Sequence, residues 1–279
     1  MADDAEERPA SRTALGVAVL RAIHQLRDGA PRVLDDPVAP ALVGDAALAR
    51  ALADDGLYSS AAMRALRAHV VLRSRFAEDC IEAACRRGVR QLVVLGAGFD
   101  SFAYRQPPWA AALRIFEVDH PGSQRLKRER LAAGGVAIPE NVSFVPADFE
   151  RHSLREILGA SRLDFAAPAV FSCLGVLVYL ERGAIEALFR TVASFPKGSE
   201  LIVTFTARER APGTEARAAA GGEPWLTKLE PDELRALLVV AGFTSVEFLD
   251  PADAERRYFA GRSDGLSAPR RVSIARASV

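Results

Sequence analysis

The chain has 279 residues, of which 49% are hydrophobic and 26% charged, and its 36 Lys plus Arg residues balance 36 Asp plus Glu residues. This mixture is typical of a globular protein and excludes a disordered tail protein, a collagen and a disulfide scaffold. Because a formal net charge of zero lacks the basic bias of most nucleic-acid-binding proteins, we expect no nucleic-acid partner.

The first part of the chain, residues 11–88, is helical in pattern and shows no convincing strand. Apolar residues recur at helical spacing after Ser11, which predicts a first helix that starts there. A weaker helix is predicted around 40–53 and a longer one from about 60 to 87. We therefore expect a helical cap at 11–88, preceded by a disordered tail at 1–10.

Strands then alternate with helices between residues 90 and 205. The predicted strands are 91–95, 114–118, 142–145, 169–173 and 200–205, and the predicted helices between them are 121–133, 153–159 and 182–194. Such alternation is typical of an α/β fold with a mostly parallel sheet that helices cover on both faces.

The remaining segments complete one predicted domain, 1–279. A segment rich in Arg, Ala and Gly, 207–224, is predicted to be a loop or a mobile insertion. The elements predicted after it are a helix at 231–241 and strands at 243–249 and 271–277. Because the helical cap runs directly into the first strand, we assign 89–279 to the core of the same domain.

Cysteine content and apolar runs predict a cytoplasmic protein. The three cysteines, Cys80, Cys85 and Cys173, cannot all pair, and none stands in a C-x-x-C arrangement. The acidic first nine residues lack the basic start and the apolar run of a secretory signal. The longest uncharged apolar stretch, 165–180, is shorter than the about 20 residues that a membrane-spanning helix needs, so we expect no membrane association.

The turn after the first predicted strand has the sequence Gly96-Ala97-Gly98. A strand that breaks into Gly-x-Gly and then a helix lets the backbone approach a ligand and points free N–H groups at it. Ser101 stands where the third glycine of the dinucleotide-binding fingerprint falls, which weakens the case for a pyrophosphate-bearing cofactor. An ordinary tight turn is the alternative interpretation.

Acidic residues stand at the ends of the next two predicted strands. Asp119 lies 21 residues after Gly98 and Glu117 lies 19 residues after it, near the spacing at which an acidic residue holds ribose hydroxyls. Asp148, followed by Phe149, ends the third strand, where a carboxylate accepts a hydrogen bond from an adenine amine beside a flat apolar side chain. The alternatives are solvated strand ends for Glu117 and Asp119 and a helix N-cap for Asp148.

Six motifs in order make the chain resemble a known family. They are Arg73-Ser-Arg75-Phe-Ala-Glu-Asp79, Gly96-Ala-Gly-Phe-Asp-Ser-Phe-Ala-Tyr-Arg105, Phe116-Glu-Val-Asp-His-Pro121, Ala147-Asp-Phe149, Gly222-Glu-Pro-Trp225 and Tyr258-Phe-Ala-Gly-Arg-Ser-Asp-Gly265. Together they look like the leucine carboxyl methyltransferase family, most closely its bacterial branch of S-adenosyl-L-methionine-dependent O-methyltransferases, often associated with specialised metabolism. The resemblance covers nearly the whole chain from Ser11.

The resemblance implies a class I S-adenosyl-L-methionine methyltransferase fold, which is Rossmann-like: a seven-stranded, mostly parallel sheet with the last strand antiparallel and an N-terminal helical cap. It implies S-adenosyl-L-methionine as cofactor and S-adenosyl-L-homocysteine as product. By position, Arg73 would hold the carboxylate of the cofactor's methionine part, and the cofactor loop would be lined by Gly96, Ala97 and Gly98. Asp119 would bind the ribose, with Glu117 as a further candidate. Asp148 and Phe149 would frame the adenine. An arginine fork suits a carboxylate, although Arg73 alone would be taken for a solvated helix residue.

The chain departs from the family pattern at two positions. Leu174 stands where many members carry a Glu, and Phe102 replaces the usual Arg of the glycine motif. Both departures concern the contacts with the methionine part, and neither identifies a substrate.

Other functions draw on some of the same residues. An NAD(P)-dependent reductase shares the strand, glycine and acid pattern but lacks here the third glycine and a Tyr-x-x-x-Lys pair. A non-catalytic, cofactor-binding pseudo-enzyme stays open because of Leu174. The sequence Gly261-Arg-Ser263-Asp-Gly265 matches a nucleophile elbow, but no His follows it, so a serine hydrolase is rejected. The four His residues are scattered, which predicts no metal site.

We therefore predict an S-adenosyl-L-methionine-dependent methyltransferase that acts on a carboxylate or hydroxyl oxygen of a small molecule. No catalytic residue is nominated, because a carboxylate acceptor needs no general base and the pattern singles out none for a hydroxyl. The cap helices and the segment 207–224 are expected to form the acceptor pocket and to move as a lid.

Overall fold

The computed structural model describes residues 11–149, 151–208, 215, 219 and 222–279. Its strands are β1 Gln91–Leu95, β2 Arg114–Asp119, β3 Val142–Pro146, β4 Val170–Cys173, β5 Glu200–Thr204, β6 Ser245–Phe248 and β7 Ile274–Ser278. They form one sheet in the order β3-β2-β1-β4-β5-β7-β6. Only β7 runs antiparallel to its neighbours, so the predicted α/β fold with a seven-stranded, mostly parallel sheet is confirmed.

Among the described residues, five helices precede the sheet and five lie between or after its strands. The first group is α1 Arg12–Arg27, α2 Ala39–Val43, α3 Asp45–Ala53, α4 Asp55–Tyr58 and α5 Ala61–Arg86. The second group is α6 Pro121–Ala133, α7 Leu154–Gly159, α8 Arg182–Ala193, α9 Pro231–Ala241 and α10 Pro251–Ala254, which continues into a π-helical turn at Glu255–Phe259. None of the described helices is long and apolar enough to cross a membrane.

Local sequence signals account for most of these boundaries. The hydroxyl of Ser11 accepts a hydrogen bond from the Ala14 amide at 3.0 Å, and that of Ser60 accepts one from the Met63 amide at 3.3 Å, so both residues cap the predicted helices. The helix predicted at 40–53 is divided in two at Gly44, whose φ of +78° does not fit a helix.

No α-helix follows the glycines after β1. The chain forms short 3₁₀ turns there, at Phe102–Tyr104 and Pro108–Ala110. Pro107 and Pro108 lack the amide hydrogens that would continue a helix. No helix N-terminus therefore faces the end of β1 within residues 96–110, which removes the usual binding element for a pyrophosphate.

Apolar side chains cover both faces of the sheet. On one face α7, α8 and α9 pack through residues such as Leu158, Phe189 and Leu238. On the other face α5 packs through Val71 and Ile81. The strands β1, β4 and β5 are buried along their whole length, as expected for central parallel strands. The single-domain division stays a prediction, and the tail 1–10 and most of the insertion 207–224 lie outside the described residues.

A clamp of two residues near β7 holds the loop after α1. Arg262 donates hydrogen bonds to the carbonyl oxygens of Gly29, at 2.9 Å, and Pro31, while Asp264 accepts one from the Gly29 amide at 2.8 Å. Burial acts to raise the pKa of Asp264, but hydrogen bonds from Arg262, Gly29 and Leu266 outweigh it and lower the pKa to about 2. The ionised carboxylate therefore ties the cap to the core.

We expect Asp264→Asn to lower the free energy of unfolding at pH 7 by about 1 kcal/mol, and by less at low pH. The pKa of Asp264 in the folded chain lies below its ordinary value of 3.8. Its stabilising effect is therefore complete above about pH 4 and is lost as the pH falls toward 2. Urea unfolding of both proteins at pH 7, 5 and 3 measures the difference.

The matched control for this prediction is Asp253→Asn. It removes an exposed ion pair with Arg256 and is expected to change the free energy of unfolding by less than about 0.5 kcal/mol. A loss in Asp264→Asn that is equally large at pH 7 and pH 3 would contradict the assignment.

Candidate functional site

The chain turns sharply at the end of β1, in residues 96–101, which we call the glycine loop. Gly96 and Gly98 have φ values of +62° and +43°. A Cβ at Gly96 would lie 2.4 Å from Cγ2 of Val176, which follows β4, and a Cβ at Gly98 would lie 3.1 Å from Cβ of Ala14 in α1. The loop after β4 and the first turn of the cap therefore both approach this backbone at distances that only glycine accommodates well.

Asp119, the last residue of β2, binds the glycine loop directly. One of its carboxylate oxygens accepts a hydrogen bond from the Gly98 amide, and the other accepts one from the His120 amide at 2.6 Å. Burial raises the pKa of Asp119, although the two amides act in the opposite direction. The Ala97 amide donates to the carbonyl of Val118, so the expected free N–H groups of residues 97 and 98 are both bonded within the protein, beside a carboxylate at the end of a parallel strand.

Glu117 lies two residues earlier on the same face of β2, but in the interior of the protein. Its carboxylate accepts hydrogen bonds from Lys127 Nζ at 2.7 Å and from the Tyr104 hydroxyl at 2.8 Å. Burial raises the pKa of Glu117 despite the Lys127 charge. Of the two acids predicted for the ribose, Asp119 is therefore the one at the strand end, while Glu117 belongs to a buried ion pair.

Arg73 reaches the end of β4 from α5. A Cβ at Gly175 would lie 2.7 Å from Nη1 of Arg73, so the guanidinium rests against the backbone just after Leu174. The Gly175 amide donates to the hydroxyl of Thr204, at the end of β5, at 2.6 Å. A cation therefore stands at the carboxyl ends of the two central strands β4 and β5.

Asp148 and Phe149 follow β3. The Ala147 amide donates to the carbonyl of Asp119 at 2.8 Å, which joins this segment to the end of β2. The backbone carbonyl of Asp148 accepts hydrogen bonds from the two amides at 151–152, and Phe149 packs at the margin of the apolar core. The order of the strands thus places residues 148 and 149 beside the end of β2.

The motif Gly222-Glu-Pro-Trp225 closes this edge of the sheet. Both the amide and the hydroxyl of Thr13, in α1, donate to Glu223. The Leu226 amide donates to the carbonyl of Val178 at 2.7 Å, so the segment 222–229 runs across the end of β4. The motif itself was the only signal for this contact, because its partner lies about 210 residues away.

All of the predicted site residues except Glu117 lie at one edge of the sheet. Asp148 and Phe149 follow β3, Asp119 ends β2, the glycine loop with Ala97 follows β1, and Arg73 lies beside the end of β4. A carboxylate for ribose hydroxyls, an acid beside an aromatic ring for adenine and a guanidinium for a carboxylate fit a nucleoside that carries an amino acid. In the part of the chain that the structure describes, no three His, Cys, Asp or Glu side chains are placed to hold a metal ion.

Comparison with known proteins also indicates a methyltransferase. The family model described as "Leucine carboxyl methyltransferase" matches residues 14–193. The Bacillus subtilis (strain 168) protein named "Putative S-adenosyl-L-methionine-dependent methyltransferase YktD" is 33% identical over 207 residues, which are 70% of this chain and 67% of that protein. SCO7813 of Streptomyces coelicolor, with the same description, is 34% identical over 234 residues, 79% of this chain and 78% of that protein.

Two solved structures share the fold. A protein from Thermobifida fusca, titled a "putative methyltransferase", is 17% identical with a TM-score of 0.61, and the match covers 98% of this chain and 96% of that one. A duf574 family protein from Streptomyces avermitilis is 18% identical with a TM-score of 0.59, covering 94% and 96%. At these identities the likeness shows the fold alone.

We expect Gly96→Ala to lower the free energy of unfolding more than Gly135→Ala does. Both glycines have positive φ, +62° and +66°, so each variant pays about 1–2 kcal/mol of backbone strain. No atom lies within 4 Å of a Cβ at Gly135, whereas one at Gly96 meets Val176, which adds about 1–3 kcal/mol of overpacking. Urea unfolding measures the two losses.

Val176→Ala in the Gly96→Ala background supplies the check on the cause. Removal of the clashing methyl groups is expected to recover part of the loss. Equal losses in the two glycine variants would show that the approach of Val176 is not what requires glycine here.

Proposed function

The chain belongs to the leucine carboxyl methyltransferase family and is an S-adenosyl-L-methionine-dependent methyltransferase, and on that premise we propose that it methylates a carboxylate or hydroxyl oxygen of a small molecule. The observation that supports the cofactor end of this proposal is the carboxylate of Asp119, joined to the Gly98 amide at the edge where the five adjacent parallel strands β1 to β5 end. The matched family description names a carboxyl group as the acceptor, which supports transfer to oxygen.

We assign each part of the cofactor to residues of matching chemistry. Asp119 accepts hydrogen bonds from the ribose hydroxyls, Asp148 and Phe149 hold the adenine, and the guanidinium of Arg73 pairs with the methionine carboxylate. Leu174 offers no carboxylate beside Arg73, so the ammonium group must find its acceptors elsewhere, including the backbone carbonyls of the glycine loop. Glu117 is left to its buried pair with Lys127.

Methyl transfer from this cofactor requires little help from acidic or basic side chains. The bound cofactor supplies a methyl group made electrophilic by a positively charged sulfur. The protein's part is to align the acceptor oxygen and to exclude water, and such positioning contributes on the order of 7–11 kcal/mol to lowering a barrier. A carboxylate acceptor is already a nucleophile at pH 7, so the proposal requires no general base for it.

We propose that the acceptor binds between the first turn of α1 and the segment 222–229. The segment 222–229 lies beside the ends of β4 and β5, the first turn of α1 lies against the glycine loop, and the bonds from Thr13 to Glu223 join the two segments. Tyr179, in the turn Leu177–Tyr179, lies in the same region and is partly exposed. An acceptor there must separate or pass beside the Thr13–Glu223 contact, which makes these two segments the parts expected to move.

We expect Asp119→Asn to weaken the binding of S-adenosyl-L-homocysteine at least about tenfold, because a charged acceptor for hydroxyl groups is lost. Calorimetric titration measures it, with NADPH as a ligand that neither protein should bind. Asp164→Asn is the matched control, since Asp164 is an exposed acid at the opposite edge of the sheet, before β4. Unchanged binding in Asp119→Asn, or binding of NADPH alone, would overturn the cofactor assignment.

We expect the methyl group to be transferred to oxygen, and the stability of the product identifies which oxygen. The protein is incubated with methyl-labelled cofactor and a panel of small carboxylic acids, phenols, alcohols and amines. Label that mild alkali releases as methanol marks a methyl ester, and label on a phenol or alcohol that survives alkali marks an ether. Asp119→Asn is the control for enzyme dependence, and label found only on the amines would contradict O-methylation.

A further inference from the structure

A buried carboxylate in the cap, Asp36, lies at the centre of a charged cluster that the transfer chemistry does not use. Its side chain is fully buried. It accepts hydrogen bonds from Arg21 Nε at 2.8 Å, from the Ser101 hydroxyl at 2.6 Å and from the Ala39 amide at 3.1 Å. Arg105 Nε lies 3.3 Å from its second oxygen. Asp36 therefore joins α1, the start of α2 and the glycine loop.

The other members of the cluster also hold the glycine loop. Arg21 donates a second hydrogen bond to the carbonyl of Phe99, in the middle of that loop. The Ser101 hydroxyl, which donates to Asp36, accepts a hydrogen bond from Arg105 Nε at 3.1 Å. Arg105 in turn binds both carboxylate oxygens of Glu78 on α5. The loop is thus fixed at two points by side chains that the cap supplies or orients.

Stability alone is a weak reason for this arrangement. Well-packed apolar side chains stabilise a core as well as a buried ion cluster, and often better. The position of the hydroxyl is specific, since Ser101 stands where a dinucleotide-binding loop has its third glycine. Burial acts to raise the pKa of Asp36, but Arg21 and Arg105 outweigh it and keep the carboxylate ionised, so its hydrogen bonds to the loop are charge-assisted.

We propose that Asp36 is a positioning residue for the cofactor: through Ser101 and Arg21 it fixes the glycine loop, so that cofactor affinity depends on a cap carboxylate that lies behind the loop. This inference rests on the proposed function, in that the loop is taken to line the cofactor. When the amides and carbonyls of the glycine loop are already held in their binding geometry, less conformational entropy is lost on binding a ligand. In this way Asp36 of the cap raises cofactor affinity without contacting the cofactor.

The chain offers a matched control in Asp28, a second buried carboxylate of the cap. Asp28 accepts hydrogen bonds from Arg67 at 2.8 and 2.9 Å and lies 2.7 Å from Nδ1 of His24. It ties α1 to α5 as Asp36 ties α1 to α2, but it makes no hydrogen bond to the glycine loop. A purely structural role for Asp36 predicts that Asp36→Asn and Asp28→Asn behave alike.

The experiment compares Asp36→Asn, Ser101→Ala and Asp28→Asn with the wild type in two measurements. The first is the dissociation constant of S-adenosyl-L-homocysteine by calorimetry, beside the thermal midpoint of each protein. We expect about tenfold weaker binding in Asp36→Asn and Ser101→Ala, and binding within about twofold of wild type in Asp28→Asn although its midpoint falls. Ser101→Gly, which completes the three-glycine sequence, should weaken binding as Ser101→Ala does.

The second measurement is amide hydrogen exchange of residues 98–101 without ligand. We expect faster exchange in Asp36→Asn and Ser101→Ala than in Asp28→Asn. Unchanged affinity in Ser101→Ala, or equal losses of affinity in Asp36→Asn and Asp28→Asn, would overturn the inference. If Asp36→Asn does not fold, Ser101→Ala decides. If wild type binds no S-adenosyl-L-homocysteine, the proposed function fails, and the exchange data still show whether Asp36 orders the loop.

Discussion

Side chains pack closely against the backbone at the end of β1, and this close packing determines how the other parts of the site are arranged. Val176 approaches Gly96 from the loop after β4, and Ala14 approaches Gly98 from the cap. Because both approaches are made to backbone, the positions of two separate chain segments are fixed relative to one peptide turn. The Gly98 amide then meets Asp119, so the strand that ends in a carboxylate is placed by the same turn.

Charged residues join distant parts of this chain, and each pair has a particular geometry. Two buried carboxylates of the cap, Asp28 and Asp36, each accept hydrogen bonds from an arginine. The same arginine also donates to a backbone carbonyl, of Tyr58 and Phe99 respectively. Lys127 is one of three lysines among 36 basic residues. It instead lies fully buried, between Glu117 and the Tyr104 ring. A compact ammonium needs fewer partners there than a guanidinium would.

Local signals in the sequence predicted most of the fold, because strand and helix boundaries depend on nearby residues. Apolar runs, Ser11 and Ser60 sufficed for β1, α1 and α5. The 3₁₀ turns after β1 were not predicted, because segments of three residues are too short to show a periodic apolar pattern. Spacing predicted both Glu117 and Asp119 and had no means to separate them, since residues two apart share a face of a strand. The clamp of Arg262 on Gly29 spans about 230 residues, and no local pattern contains it.

The position of β7 between β5 and β6 has a consequence for folding during synthesis. β6 pairs with β7 alone, and β5 has β7 as its second neighbour. During synthesis, residues 245–248 therefore lack a strand partner until residues 274–278 have also been made, and one edge of β5 stays open until then. Such unpaired edges are where chains associate wrongly. β7 thus closes both open edges at once when it enters the sheet.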